Sequence, residues 1–201
     1  MTPKYIHYGN DTFHPEYMPK DAALLSPILL ESSMTSFKPK GLWACRTIAQ
    51  YGWKEWCEGN DYYTEDLVTK FYFDLSTEAR ILEIHEMSDL EPYMFDYSNT
   101  DGMSEDMVEI AKSFQRVYGN DPTVSRKPIL DVLKVYENFD AMELVEPFDY
   151  KLLHVGFRLP DDIDNSFIAP LYEWNVSSPP LYGWDVPSIV IWNPDIIKPF
   201  I

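Results

Sequence analysis

The chain has 201 residues, 45% of them hydrophobic and 15% aromatic, with 33 acidic against 16 basic side chains and a net charge of -17. That apolar content excludes a disordered chain, and the acidity disfavours non-specific nucleic-acid binding and anionic membrane surfaces, both of which need cations. It suits solubility, a basic partner protein or mimicry of DNA.

In chain order, Lys4 to Tyr8 reads as a first strand, and the proline-punctuated stretch from Asp11 to Pro39 as an irregular, covering segment. Ala22 to Leu30 is apolar, but Ser26 and Pro27 interrupt it, and it is shorter than the ~20 residues of a membrane span. Thr47 followed by Gln50 fits a capping box and predicts a helix from Ile48 to about Glu58, stopped by Gly59-Asn60. Ala49, Trp53, Trp56 and Cys57 would share one face of it.

Phe71 to Leu75 and Ile81 to His85 read as strands joined by Ser76-Thr77-Glu78. Ser104, with Glu105 and Asp106 behind it, opens a helical stripe of Met107, Ile110, Ala111, Phe114 and Val117. A third helix is expected from about Pro128 to Glu137. Phe139 to Val145, Lys151 to Phe157 and Ser188 to Trp192 read as strands, with an irregular stretch from Asp161 to Pro180. This order does not alternate as βαβ, so the expectation is a single α+β domain over 1–201 with a mixed or antiparallel sheet. Two cysteines, no CxxC and no apolar leader segment point to a cytoplasmic protein without a thiolate zinc site.

Nucleotide-binding GxGxxG and P-loop motifs are absent, as is a GxSxG elbow. His85-Glu86 begins like HExxH, but position 89 is aspartate. Three segments carry candidate chemistry instead. In Tyr5-Ile6-His7-Tyr8-Gly9 a strand-end imidazole could meet a ribose hydroxyl, and glycine allows close backbone approach. In Gly41-Leu42-Trp43-Ala44-Cys45, running on to Tyr51-Gly52-Trp53, aromatic faces could sandwich a flat cationic ring; Trp53 and Trp56 also read as core, Trp56 above all. In Phe139-Asp140-Ala141-Met142-Glu143-Leu144-Val145 a carboxylate sits on an apolar strand face, where it needs a task or a partner.

Together, the strand-end histidine with glycine, the Gly-aromatic-small stretch leading to a helix with aromatics, and the late strand glutamate resemble the His-Tyr-Glu class of ADP-ribosyltransferases. Diphtheria-type toxins and poly(ADP-ribose) polymerases have this arrangement. The closing run from Ser188 to Ile197, an apolar strand followed by Asn193-Pro194, is similar to the last strand of such domains. The resemblance implies a split β-sheet with flanking helices and NAD as substrate. His7 would hold the adenosine-side ribose, Gly9 and Gly41 would supply backbone contact, and Trp43 with Tyr51 or Trp53 would stand at the aromatic positions. Many polymerase-type members begin the last strand with glutamate; here that slot is Ser188, so Glu143 is taken as the catalytic acid, with Glu146 and Asp185 as rivals. The implied reaction breaks the nicotinamide–ribose bond through an oxocarbenium-like state and passes ADP-ribose to a basic protein or to water. The alternative is an acidic, non-catalytic binding or inhibitor protein.

Overall fold

A computed structural model describes residues 2–18, 41–95, 101, 108, 112, 129–130, 132–148, 184 and 186–200. In chain order these form β1 (Tyr5–Tyr8), β2 (Leu42–Arg46), α1 (Trp53–Asn60), β3 (Lys70–Leu75), β4 (Ile81–Ile84), α2 (Met87–Leu90), β5 (Met94–Phe95), β6 (Ile129–Leu130), α3 (Val132–Asn138), β7 (Ala141–Leu144), β8 (Ile189–Ile191) and β9 (Ile197–Pro199). Seven strands make one sheet in the order β4-β7-β8-β2-β1-β3-β9, while β5 and β6 form a small separate ladder. Every neighbour in the large sheet is antiparallel except β4 beside β7. The α+β class and the mixed sheet match the sequence expectation.

The sheet is curled. Laid flat at ~4.8 Å per strand, β3 and β4 would stand about 24 Å apart. The six Cα steps from Leu75 to Ile81 reach at most about 20–22 Å. The connector can join these strands only if the two ends of the sheet approach each other, and Leu75, Ala79, Ile81 and Ile197 do gather in one apolar cluster.

Side chains alternate across the sheet as the period of two requires. Tyr5, Ala44, Phe73, Ala141, Ile189 and Ile191 fill the inside of the curl. Met142, Leu144 and Val190 face the opposite side with Leu82, Ile84, Val135 of α3, Trp184 and Trp192. A third cluster, Ile6, Cys45, Trp56, Cys57 and Val186, lies under α1.

Two helices begin later than the sequence suggests. Thr47 does not cap a helix, because its hydroxyl donates to the Pro3 carbonyl (2.7 Å) and its N–H to that of Lys4 (2.9 Å), which ties the end of β2 to the chain before β1. The helix starts instead after Gly52, whose N–H is accepted by the Glu55 carboxylate at 2.9 Å; with no side chain, Gly52 supplies half a capping box. It closes at Asp61, in the left-handed region at φ 53. α3 starts at Val132 rather than Pro128. Strands β2 and β9 were not expected. The stripe from Met107 to Val117, the strand at 151–157 and the stretch 161–180 lie outside the described residues.

Asp140 joins β4, β7 and β8. Its carboxylate accepts from the Arg80 N–H (2.9 Å), the Arg80 guanidinium (3.0 Å) and the Asn193 amide (3.0 Å). Burial alone would raise its pKa, but the hydrogen bonds from Arg80 and Asn193 bring it down to about 2. A carboxylate held below its unfolded value stabilises the fold above that value and loses the effect as pH falls through the folded one. Wild type should therefore lose ~2 kcal/mol between pH of about 4 and about 2 that Asp140→Asn does not lose. Urea midpoints across this range check it; parallel pH curves for the two proteins would contradict it.

Candidate functional site

β1 and β2 pair over two rungs, Tyr5 with Arg46 and Ile6 with Cys45. Beyond that, β1 runs on with β3 as far as Tyr8 opposite Lys70, while β2 runs on with β8 as far as Leu42 opposite Ile191. The strands diverge, and a cleft of about 210 Å³ opens there, with His7, Tyr8, Trp43, Cys45, Trp53 and Ser188 among its lining residues.

His7 spans the divergence. Its Nδ1–H donates to the Trp43 carbonyl at 2.6 Å, doing across the gap what a ladder bond would have done. This fixes the tautomer and leaves Nε2 as an acceptor, met by the Asn10 amide at 3.4 Å. Burial lowers the His7 pKa, and the bond to Trp43 offsets this in part, so the ring is neutral at neutral pH.

Aromatic packing holds the walls. Trp43 meets Trp184 edge-on with ring centroids 4.7 Å apart, and Trp53 stacks on Trp56 at 4.9 Å and 10°. The Trp53 backbone N–H donates to Cys45 Sγ at 3.3 Å, seating the start of α1 on β2. Burial first, and then the charge of Glu55, pushes the Tyr8 phenol up to about 12, so it remains a donor. The Ser188 hydroxyl donates to the Val186 carbonyl at 3.0 Å.

Of the residues singled out in the sequence, His7, Trp43 and Trp53 come together in this cleft, and Gly9, Gly41, Tyr51 and Glu143 do not line it. Gly9 turns the chain after β1 at φ 104, its N–H bonded to the Thr69 carbonyl. Gly41 serves packing: a Cβ there would lie 2.5 Å from the Ile191 carbonyl oxygen. Tyr51 packs against the cluster under α1, and Trp56 is buried in it.

Glu143 is 1% exposed. Arg46 grips it through Nε to Oε1 (2.6 Å) and a terminal nitrogen to Oε2 (2.8 Å), and the Tyr5 hydroxyl donates to Oε2 at 3.0 Å. Both oxygens are thus engaged inside the curl, on the face carrying Tyr5 and Ala141. Hydrogen bonding to Glu143 drives the Arg46 pKa up, while burial and then the Glu143 charge drive up that of Tyr5. Glu146 accepts from the Gln50 N–H at 3.4 Å, and Asp185 lies outside the described residues.

Sequence reasoning missed Arg46 and Tyr5. The signal was the acid itself, since a carboxylate on an apolar strand demands a cation, but finding that cation required β2 to be seen as a strand. Among the described residues no His, Cys, Asp and Glu side chains cluster as metal ligands, and no helix is long and apolar enough to cross a membrane. No protein-family model, curated protein or solved structure matches the chain.

Glu143→Gln should lower stability by about 3 kcal/mol, because it leaves the Arg46 guanidinium with only the half-exposed Glu83, at 3.6 Å, as a counter-charge. Tyr5→Phe removes one bond to that charge and should lose about 1.5–3 kcal/mol. Denaturant midpoints read both; a Gln variant as stable as wild type would show that the ion pair does not hold the sheet.

Proposed function

We propose that the cleft binds NAD and that the chain transfers ADP-ribose from it to a basic protein or to water. The supporting observation is the neutral His7, held across two diverging strands with Nε2 as an acceptor, in a cleft that also has two indole walls. Nε2 can accept from a ribose hydroxyl in place of the Asn10 amide, and an indole face suits the flat, cationic nicotinamide ring. The divergence of β1 from β2 supports an ADP-ribosyltransferase-like split sheet.

Bond cleavage through an oxocarbenium-like state calls for a carboxylate near the sugar. Glu143 and Glu146 both hold structural hydrogen bonds. The role passes in this proposal to Asp185, the sequence neighbour of the cleft-lining Val186. One observation favours a second reading, a binding protein without chemistry: among the described residues no carboxylate lines the cleft.

NAD at 100 times its dissociation constant should stabilise the protein by ~2.7 kcal/mol, and His7→Ala or Trp53→Ala should remove most of that shift. Affinity should be level above the ordinary histidine value of about 6.5 and weaken below it, as the depressed pKa of His7 is crossed and Nε2 gains a proton. Asp185→Asn should keep the thermal shift and abolish release of nicotinamide from labelled NAD. No shift with NAD would refute the proposal; a shift without turnover in wild type would leave the binding reading standing.

A further inference from the structure

The aromatic wall of the cleft continues outward. Trp53 stacks on Trp56, Trp56 meets Tyr62 edge-on at 5.3 Å, and Tyr62 meets Tyr63 edge-on at 4.4 Å. Trp56 is buried, whereas Tyr62 is 43% and Tyr63 56% exposed. A continuous run of rings therefore leads from the cleft to open surface just past α1.

The carboxylates around the exposed end are themselves exposed: Glu58 on the last turn of α1, Asp61 beside Tyr62, and Glu65 and Asp66 in the turn after Tyr63. Lys54 pairs with Glu58 at 3.9 Å on the solvent face and offsets one of these four charges, so the patch stays acidic. The field reaches inward as well, because Glu55 and Glu58 both contribute to the raised pKa of Tyr8 in the cleft wall, after burial.

We propose that Tyr62 and Tyr63, with Glu58, Asp61, Glu65 and Asp66, dock an arginine-bearing segment of a basic protein beside the cleft. A guanidinium is planar and weakly hydrated, so it can stack on a phenol and bond a carboxylate in bidentate fashion at the same time. A lysine ammonium is attracted by the same charge but lacks the planar face, and nucleic-acid phosphates are repelled. The proposal deepens the NAD reading, on which it rests for calling the docked segment an acceptor; the docking itself does not depend on NAD.

The test uses the full chain and fluorescence anisotropy with a labelled arginine-glycine-serine peptide and its lysine counterpart. The arginine peptide should bind about three- to tenfold tighter than the lysine one. Tyr62→Ala with Tyr63→Ala should abolish this preference, and the shape-preserving Glu58→Gln with Asp66→Asn should weaken the arginine peptide about tenfold. The exposed, distant pair Glu78→Gln with Glu137→Gln changes the net charge equally and should leave binding unchanged. Equal affinity for the two peptides in wild type, or an equal loss in the distant pair, would overturn the proposal in favour of bulk charge attraction. An NAD thermal shift measured on each variant separates the two ideas: a retained shift with indifferent peptide binding sinks the docking surface alone, and discriminating peptide binding without a shift sinks the NAD reading alone.

Discussion

Two sheet segments stay joined up to the point where they part because an ion pair on a buried carboxylate sits one rung behind their fork. Arg46, on the β1–β2 rung just behind the Ile6–Cys45 rung where the strands part, reaches Glu143 on β7, and Tyr5, its rung partner, bonds the same carboxylate. Desolvating two charges is expensive, and the attraction offsets that cost only where geometry and further hydrogen bonds are good. Here the contact is bidentate and the hydroxyl of Tyr5 adds a third bond. Three strands are thereby fixed to one another while β1 and β2 remain free to diverge above them.

Divergence leaves backbone groups without ladder partners, and a buried orphan costs about 1–3 kcal/mol. His7 meets part of this demand by donating to the Trp43 carbonyl. The same bond that satisfies the backbone also sets the ring's tautomer and aims its acceptor, so a structural need and a binding capacity meet in one side chain. Trp184 and Trp56 brace the two indole walls, and the start of α1 is seated on Cys45. A site whose walls are fixed in advance loses less conformational freedom when a ligand enters.

Much of this was legible in the sequence where the signal was local. Strands β1, β3, β4, β7 and β8 follow from short apolar runs, and His7, Trp43 and Trp53 stood out as chemistry-bearing residues near turns. Thr47 shows the limit of local signals: its capping-box spacing was real, but a bond to Pro3 claimed its hydroxyl. Leu42 to Arg46 lacked clean alternation because it is packed between β1 and β8, with its buried residues adjacent rather than alternate. Three-residue β9, ending in proline, carries hardly any pattern. The partner of Glu143 and the curl of the sheet are set by contacts between residues far apart in the chain, where periodicity is silent.

Nitrogen-15 NMR of the His7 imidazole, followed through an NAD titration at neutral pH, reads both the tautomer of the ring and whether its acceptor nitrogen meets the ligand. A ring protonated at Nδ1 alone, whose Nε2 resonance moves as NAD saturates the cleft, is the predicted result. A charged ring, a proton on Nε2, or a spectrum indifferent to NAD would contradict it.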